Sequence, residues 1–199
     1  MKTMTPFLAE GFLRGYLEDA QRFLESVIAT DVAEVKVDFF EAVSGIADFL
    51  EDFKGQLIVI GNGGSAGIAS ETAHRLGKFC GVRALTFNNP VTMSGTANDH
   101  GWDEVFAQPL NVYSGEGDIL IAISSSGRSP NILRAVEVAR TKNFGLILTL
   151  SGFNLDNPLR SKGNFNFYVP SDSYRHVERT HLFVLDCILD LLIKQKRGN

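Results

Sequence analysis

Three short runs are apolar at every residue but Gln56 and Thr149: Gln56-Leu-Ile-Val-Ile60, Ile119-Leu-Ile-Ala-Ile123 and Leu146-Ile-Leu-Thr-Leu150. A strand with one wet face alternates apolar and polar residues, so a continuous run needs cover on both sides, as a parallel strand between two helix layers has. Weaker runs at Arg83-Ala-Leu-Thr-Phe87 and over 164–169 extend the set to five. Helical stretches over 65–78, 90–98, 129–142 and 173–196 alternate with them. This order predicts an α/β fold with a doubly wound, parallel five-stranded sheet. No linker, repeat or low-complexity tract interrupts it, and 199 residues at 44% hydrophobic content suffice for one core, so 1–199 reads as a single domain.

Ahead of the first strand, apolar residues recur three and four apart: Phe12, Tyr16, Phe23, Leu24, Val27, then Val35, Phe39, Phe40, Val43, Ile46, Leu50. This spacing predicts two amphipathic helices broken near Thr30-Asp31, with Asp31 capping the second. Their apolar stripes need a surface, and residues 1–54 are read as a helical extension used in oligomerisation. Charge narrows the partners. The net charge is -4 with no basic run, which argues against direct nucleic-acid binding. No apolar stretch approaches the roughly 18 residues of a membrane span, and 1–12 lacks the pattern of a signal peptide, so a cytoplasmic protein is expected. Cys80 and Cys187 form no CxxC pair and read as buried thiols.

The 19 glycines cluster beside serines. The run 56–60 leads into Gly61-Asn-Gly-Gly-Ser-Ala-Gly67 with a helix from about Ser65. Glycine lets backbone approach a ligand closely, and the free amides at a helix start attract an anion. The spacing fits neither the dinucleotide fingerprint nor the P-loop. The run 119–123 leads into Ser124-Ser-Ser-Gly-Arg-Ser-Pro-Asn131, placing hydroxyls at the carboxyl end of a central strand, where open α/β sheets bind ligands. Ser129 also sits where an N-cap belongs, before Pro130. Taken alone, the first loop is equally a tight strand-to-helix turn; the two loops together point to a phosphate monoester.

At these residues the chain resembles the sugar isomerase (SIS) domain family, and within it the phosphoheptose isomerases, which convert sedoheptulose 7-phosphate into D-glycero-D-manno-heptose 7-phosphate. The likeness rests on the leading helices, Gly61-Asn-Gly-Gly-Ser65, Ala97-Asn-Asp-His-Gly101, Ile123-Ser-Ser-Ser-Gly-Arg-Ser129 and the long last helix. It implies a flavodoxin-like sandwich, a homotetramer with active sites between subunits, and a heptose phosphate as ligand. Carried onto this chain, Ser124, Ser125, Ser126 and Ser129 hold the phosphate, Asn62, Gly63, Gly64 and Ser65 line the pocket, and Asn98 and Asp99 face the sugar. Asn98-Asp99-His100-Gly101 also reads as a plain turn after a helix.

The chain departs from the resemblance where the chemistry lies. Aldose-ketose exchange needs a base beside the carbonyl and an acid at oxygen or the neighbouring carbon. In the resembled family these are a glutamate and a histidine, which with a second histidine and a glutamine also hold zinc. By motif these four positions carry Arg75, Asp186, Glu71 and Glu178. A guanidinium neither acts as a base nor binds zinc, so no metal and no other cofactor is expected. Arg75 is expected to pair with Glu178 and Asp186, gathering the four charges into one pocket. Two readings stay open. Either Glu71, Glu178, Asp186 and Arg75 form an altered catalytic group, with His74 or His181 as alternative imidazoles, or an ion-pair cluster replaces a dismantled site. The second reading is a non-catalytic SIS protein, a sugar-phosphate sensor or a scaffold of the DnaA initiator-associating type.

Overall fold

The computed structural model of the chain describes residues 6–198; the part of the 1–12 reading that falls on 1–5 lies outside them. Helix α1 spans Pro6–Glu25, β1 Ile28–Asp31, β2 Lys36–Val37, α2 Phe39–Glu51, β3 Gln56–Gly61, α3 Gly64–Cys80, β4 Arg83–Leu85, α4 Pro90–His100 and α5 Ala107–Tyr113. Then follow β5 Ile119–Ser124, α6 Pro130–Thr141, β6 Leu146–Gly152, β7 Phe165–Val169 and α7 Tyr174–Arg197. Among the described residues the seven strands lie in the order β2-β1-β7-β6-β5-β3-β4.

The five predicted strands form the parallel part, β4-β3-β5-β6-β7. Their two-residue period divides them between two cores. Leu57, Val59, Ile119, Ile121 and Ile123 meet α2, α3 and α7 on one face. Ile58, Ile60, Leu120 and Ala122 meet α5 and α6 on the other. Each fully buried side chain of this kind contributes about 1.5–3 kcal/mol relative to exposure, which is why the uninterrupted apolar runs sit at the centre.

The N-terminal segment differs from its prediction. The two leading helices are present, but a hairpin of β1 and β2 separates them and adds two antiparallel strands to the sheet edge, with Ala29 opposite Phe167 and Thr30 opposite Asn166. Asp31 does not cap α2. Its carboxylate accepts the amides of Ala33 and Val35 at 2.9 Å each and closes the hairpin turn. The cap is Asp38, which accepts from Phe40 and Glu41, a contribution of about 1 kcal/mol. Ala42, Val43, Ile46, Ala47 and Leu50 then face the core. Among the described residues no helix is long and apolar enough to cross a membrane.

Candidate functional site

Strand β3 is followed by β4 on one side and flanked by β5 on the other, and the helices after β3 and β5 cover opposite faces of the sheet. The loops leaving β3 and β5 therefore diverge, and a crevice opens between them at the carboxyl ends of the strands. It is a cavity of about 350 Å³. From β3 it is lined by Asn62, Gly63, Gly64 and Ser65, from β5 by Ile123, Ser124, Ser125, Ser126 and Ser129, and from α7 by Tyr174 and Glu178.

Local hydrogen bonds set this geometry. The amides of Asn62 and Asn131 pair reciprocally, each Nδ2 donating to the other's Oδ1 at 2.9 Å, which ties the glycine loop to the first turn of α6. Asn131 is fully buried. The hydroxyls of Ser124 and Ser129 lie 3.0 Å apart, and Ser126 Oγ accepts the Arg128 amide. Ser129 holds the N-cap position without capping, because its hydroxyl turns to Ser124 instead. Ser125 Oγ is buried with no partner. Gly127 has φ +63°, and a Cβ there would run into Asn157, so this turn requires glycine.

Gly64 has a different reason. A Cβ on it would occupy the place of the Glu178 carboxylate, which lies flush against the start of α3. Burial pushes the Glu178 carboxyl above its ordinary value. Among the described residues Glu178 forms no ion pair.

The other three predicted charges lie elsewhere. Arg75 pairs with Asp186 and, at 3.1 Å, with Asp190, bridging α3 to α7. Asp190 was missing from the sequence expectation, and Glu178 does not join the cluster. Asp186 is raised mainly by burial, opposed by Arg75, and Glu71 lies near enough to add to the rise. Of the four charges expected in one pocket, Glu178 alone lines it. Nor do Asn98 and Asp99: they end α4, exposed, with Asn98 Nδ2 donating to the Asp99 carboxylate at 2.9 Å. His74 is exposed on α3. His181 is fully buried, its Nε2 3.0 Å from the Ser151 carbonyl, which can only accept, so the ring donates there. Burial lowers its pKa to about 4. It is a neutral core residue. Cys80 is buried as read, and Cys187 is only half-buried.

The residue the sequence reading missed is Tyr174. It stands one turn before Glu178 on α7, the i, i+4 spacing that puts both on one face. That spacing was the available signal.

The zinc implied by the resemblance can be tested on this donor set. Arg75 has no lone pair to offer and occupies Asp186 and Asp190. Among the described residues no three His, Cys, Asp or Glu side chains gather closely enough to hold a metal ion. The residues present do not fit the metal.

A doubly wound sheet with a hydroxyl-lined crevice at the switch point is the architecture of a ligand-binding α/β domain, and the chain belongs to the SIS domain family, whose model matches residues 15–151. Its curated relatives include phosphoheptose isomerases. That of Colwellia psychrerythraea is 34% identical over 145 residues, covering 69% of this chain and 74% of that protein. That of Thermodesulfovibrio yellowstonii is 30% identical over 189 residues, covering 92% and 90%. Among solved structures, a phosphoheptose isomerase from Francisella tularensis superposes with TM-score 0.76 at 26% identity, covering 97% of this chain and 100% of that one.

Proposed function

We propose that this chain is a phosphosugar isomerase that interconverts an aldose and a ketose on sedoheptulose 7-phosphate or a close analogue. The observation that carries the reading is the meeting, in one cavity, of two glycine- and serine-rich loops with a partly buried carboxylate that has no ion-pair partner among the described residues. Serine hydroxyls and helix-start amides suit the three oxygens of a phosphate monoester. Glu178 is the base that takes the proton beside the carbonyl, since a raised pKa brings a carboxylate nearer the operating pH and strengthens it as a base. The relatives named above support the substrate class, and the departures at positions 71, 75 and 186 leave this role to Glu178.

The test is turnover of sedoheptulose 7-phosphate by the purified protein. Glu178→Gln is expected to lower kcat by about 10²-fold or more. Ser124→Ala with Ser126→Ala is expected to raise KM. The sign of the pH dependence follows from the raised carboxyl: the base works when ionised, so the rate falls as pH drops through a value above the ordinary glutamate pKa of 4.5. Binding of heptose phosphate without turnover would replace this reading with that of a sugar-phosphate sensor.

The assembly belongs to the same proposal. Phe12, Leu13 and Leu17 are more than half exposed on α1, an apolar stripe that suits pairing of copies into a homotetramer through the N-terminal extension. The mass in solution tests it. Catalysis on a sugar phosphate would place the protein in the cytoplasm, acting on a small molecule and not on nucleic acid.

A further inference from the structure

Glu178 can serve as base, but aldose-ketose exchange also needs a group that delivers a proton to the carbonyl oxygen and removes one from the neighbouring hydroxyl. Arg75, Asp186 and Glu71 are outside the cavity, and His181 is sealed in the core. Of the described residues that line the cavity, only Glu178 and Tyr174 carry ionisable side chains. We infer that Tyr174 is the second catalytic residue, the oxygen-side acid and base that works with the carbon-side base Glu178.

Three features carry this assignment, which rests on the isomerase reading above. Tyr174 and Glu178 stand one turn apart on α7 and line the same cavity as the serine loop, so a sugar whose phosphate sits at Ser124–Ser129 extends past both. The Tyr174 ring is held edge-on against Phe153, with centroids 4.8 Å apart and planes at 72°. Phe153 is itself fixed in a left-handed backbone conformation, φ +59°, that aromatic residues rarely adopt. Its amide donates to the Ser171 carbonyl at 2.9 Å, and its carbonyl accepts from the Tyr168 hydroxyl at 2.9 Å. Strained backbone that is pinned from both sides marks a position where placement matters, and what Phe153 places is the ring of Tyr174.

The steps balance. The Glu178 carboxylate takes the proton from C1 of the ketose; the C–H electron pair becomes the C1–C2 double bond, and the carbonyl oxygen at C2 takes the Tyr174 phenolic proton, giving an enediol and a phenolate. The phenolate then takes the proton from the C1 hydroxyl as C1 becomes a carbonyl, and the double-bond pair takes the proton back from Glu178 at C2. Both side chains end as they began.

The experiment compares wild-type protein with Tyr174→Phe, which keeps the ring packed on Phe153 and removes only the hydroxyl. The expected result is a fall in kcat of about 10²-fold, with KM, binding of a non-reacting sugar phosphate and melting temperature near wild type. A tyrosine that acts only through its ring packing would leave kcat at the wild-type value in this variant, and a merely binding one would move KM. A kcat within about threefold of wild type, or a loss of affinity that matches the loss of rate, overturns the assignment while leaving the isomerase reading in place. Absence of turnover in the wild-type protein overturns that reading and this inference together.

Discussion

Gly64 and Glu178 share one small volume, although 114 positions of chain separate them. Gly64→Ala puts a methyl group where the carboxylate lies. The carboxylate ends a flexible side chain and can swing aside, so the fold survives while the acid group leaves its station. Stability within about 1 kcal/mol of wild type is expected, with kcat/KM lowered at least about tenfold; a chemical melt and steady-state kinetics on the same preparation read both. An unchanged kcat/KM would place the chemistry elsewhere. Neither this contact nor the Asn62–Asn131 amide pair was legible in the sequence. The chemical types of the two loops were, because glycine and serine announce themselves by composition, but which residue faces which across the sheet is a property of the assembled helices.

Helices α3 and α7 are joined across their seam by Arg75, Asp186 and Asp190. Arg75 and Asp186 are only partly exposed, at 24% and 36% of their side chains, while Asp190 at 67% is largely in water and adds little. Arg75→Met would leave Asp186 half-buried beside Asp190 without its cation. A loss of about 1–2 kcal/mol in denaturant unfolding is expected, with turnover within about threefold of wild type. A collapse of turnover at unchanged stability would instead make Arg75 a substrate contact. At this scale the helices and the parallel strands were readable, since buried strands and amphipathic helices have distinct periods. The hairpin was not. Its strands are four and two residues long, and Val27, Val35 and Phe39 fall at intervals that a helix would also produce. Asp31 was read as a helix cap because a carboxylate that accepts two nearby amides looks the same in sequence whether it closes a turn or starts a helix.

The whole chain carries a net charge of -4, and the cavity is lined by hydroxyls, amides, a phenol and one carboxylate, with no lysine or arginine from the described residues. Arg128, within the serine loop, turns to Asp156 at 3.3 Å. A ligand phosphate is thus met by dipoles and hydrogen-bond donors and finds no countercharge there. Two negative groups placed close together cannot both stay fully ionised at ordinary cost. At mildly acidic pH the incoming phosphate therefore raises further the carboxyl that burial has already raised, so binding is accompanied by partial proton uptake there, and the share of Glu178 in its working, ionised form falls. Calorimetry in buffers of different ionisation enthalpy is expected to give binding heats that differ between buffers at mildly acidic pH, and Glu178→Gln is expected to abolish the difference. Substrate and hydrogen ion then arrive as co-ligands, so the acidity of the medium sets the occupancy of the site as well as the state of its base.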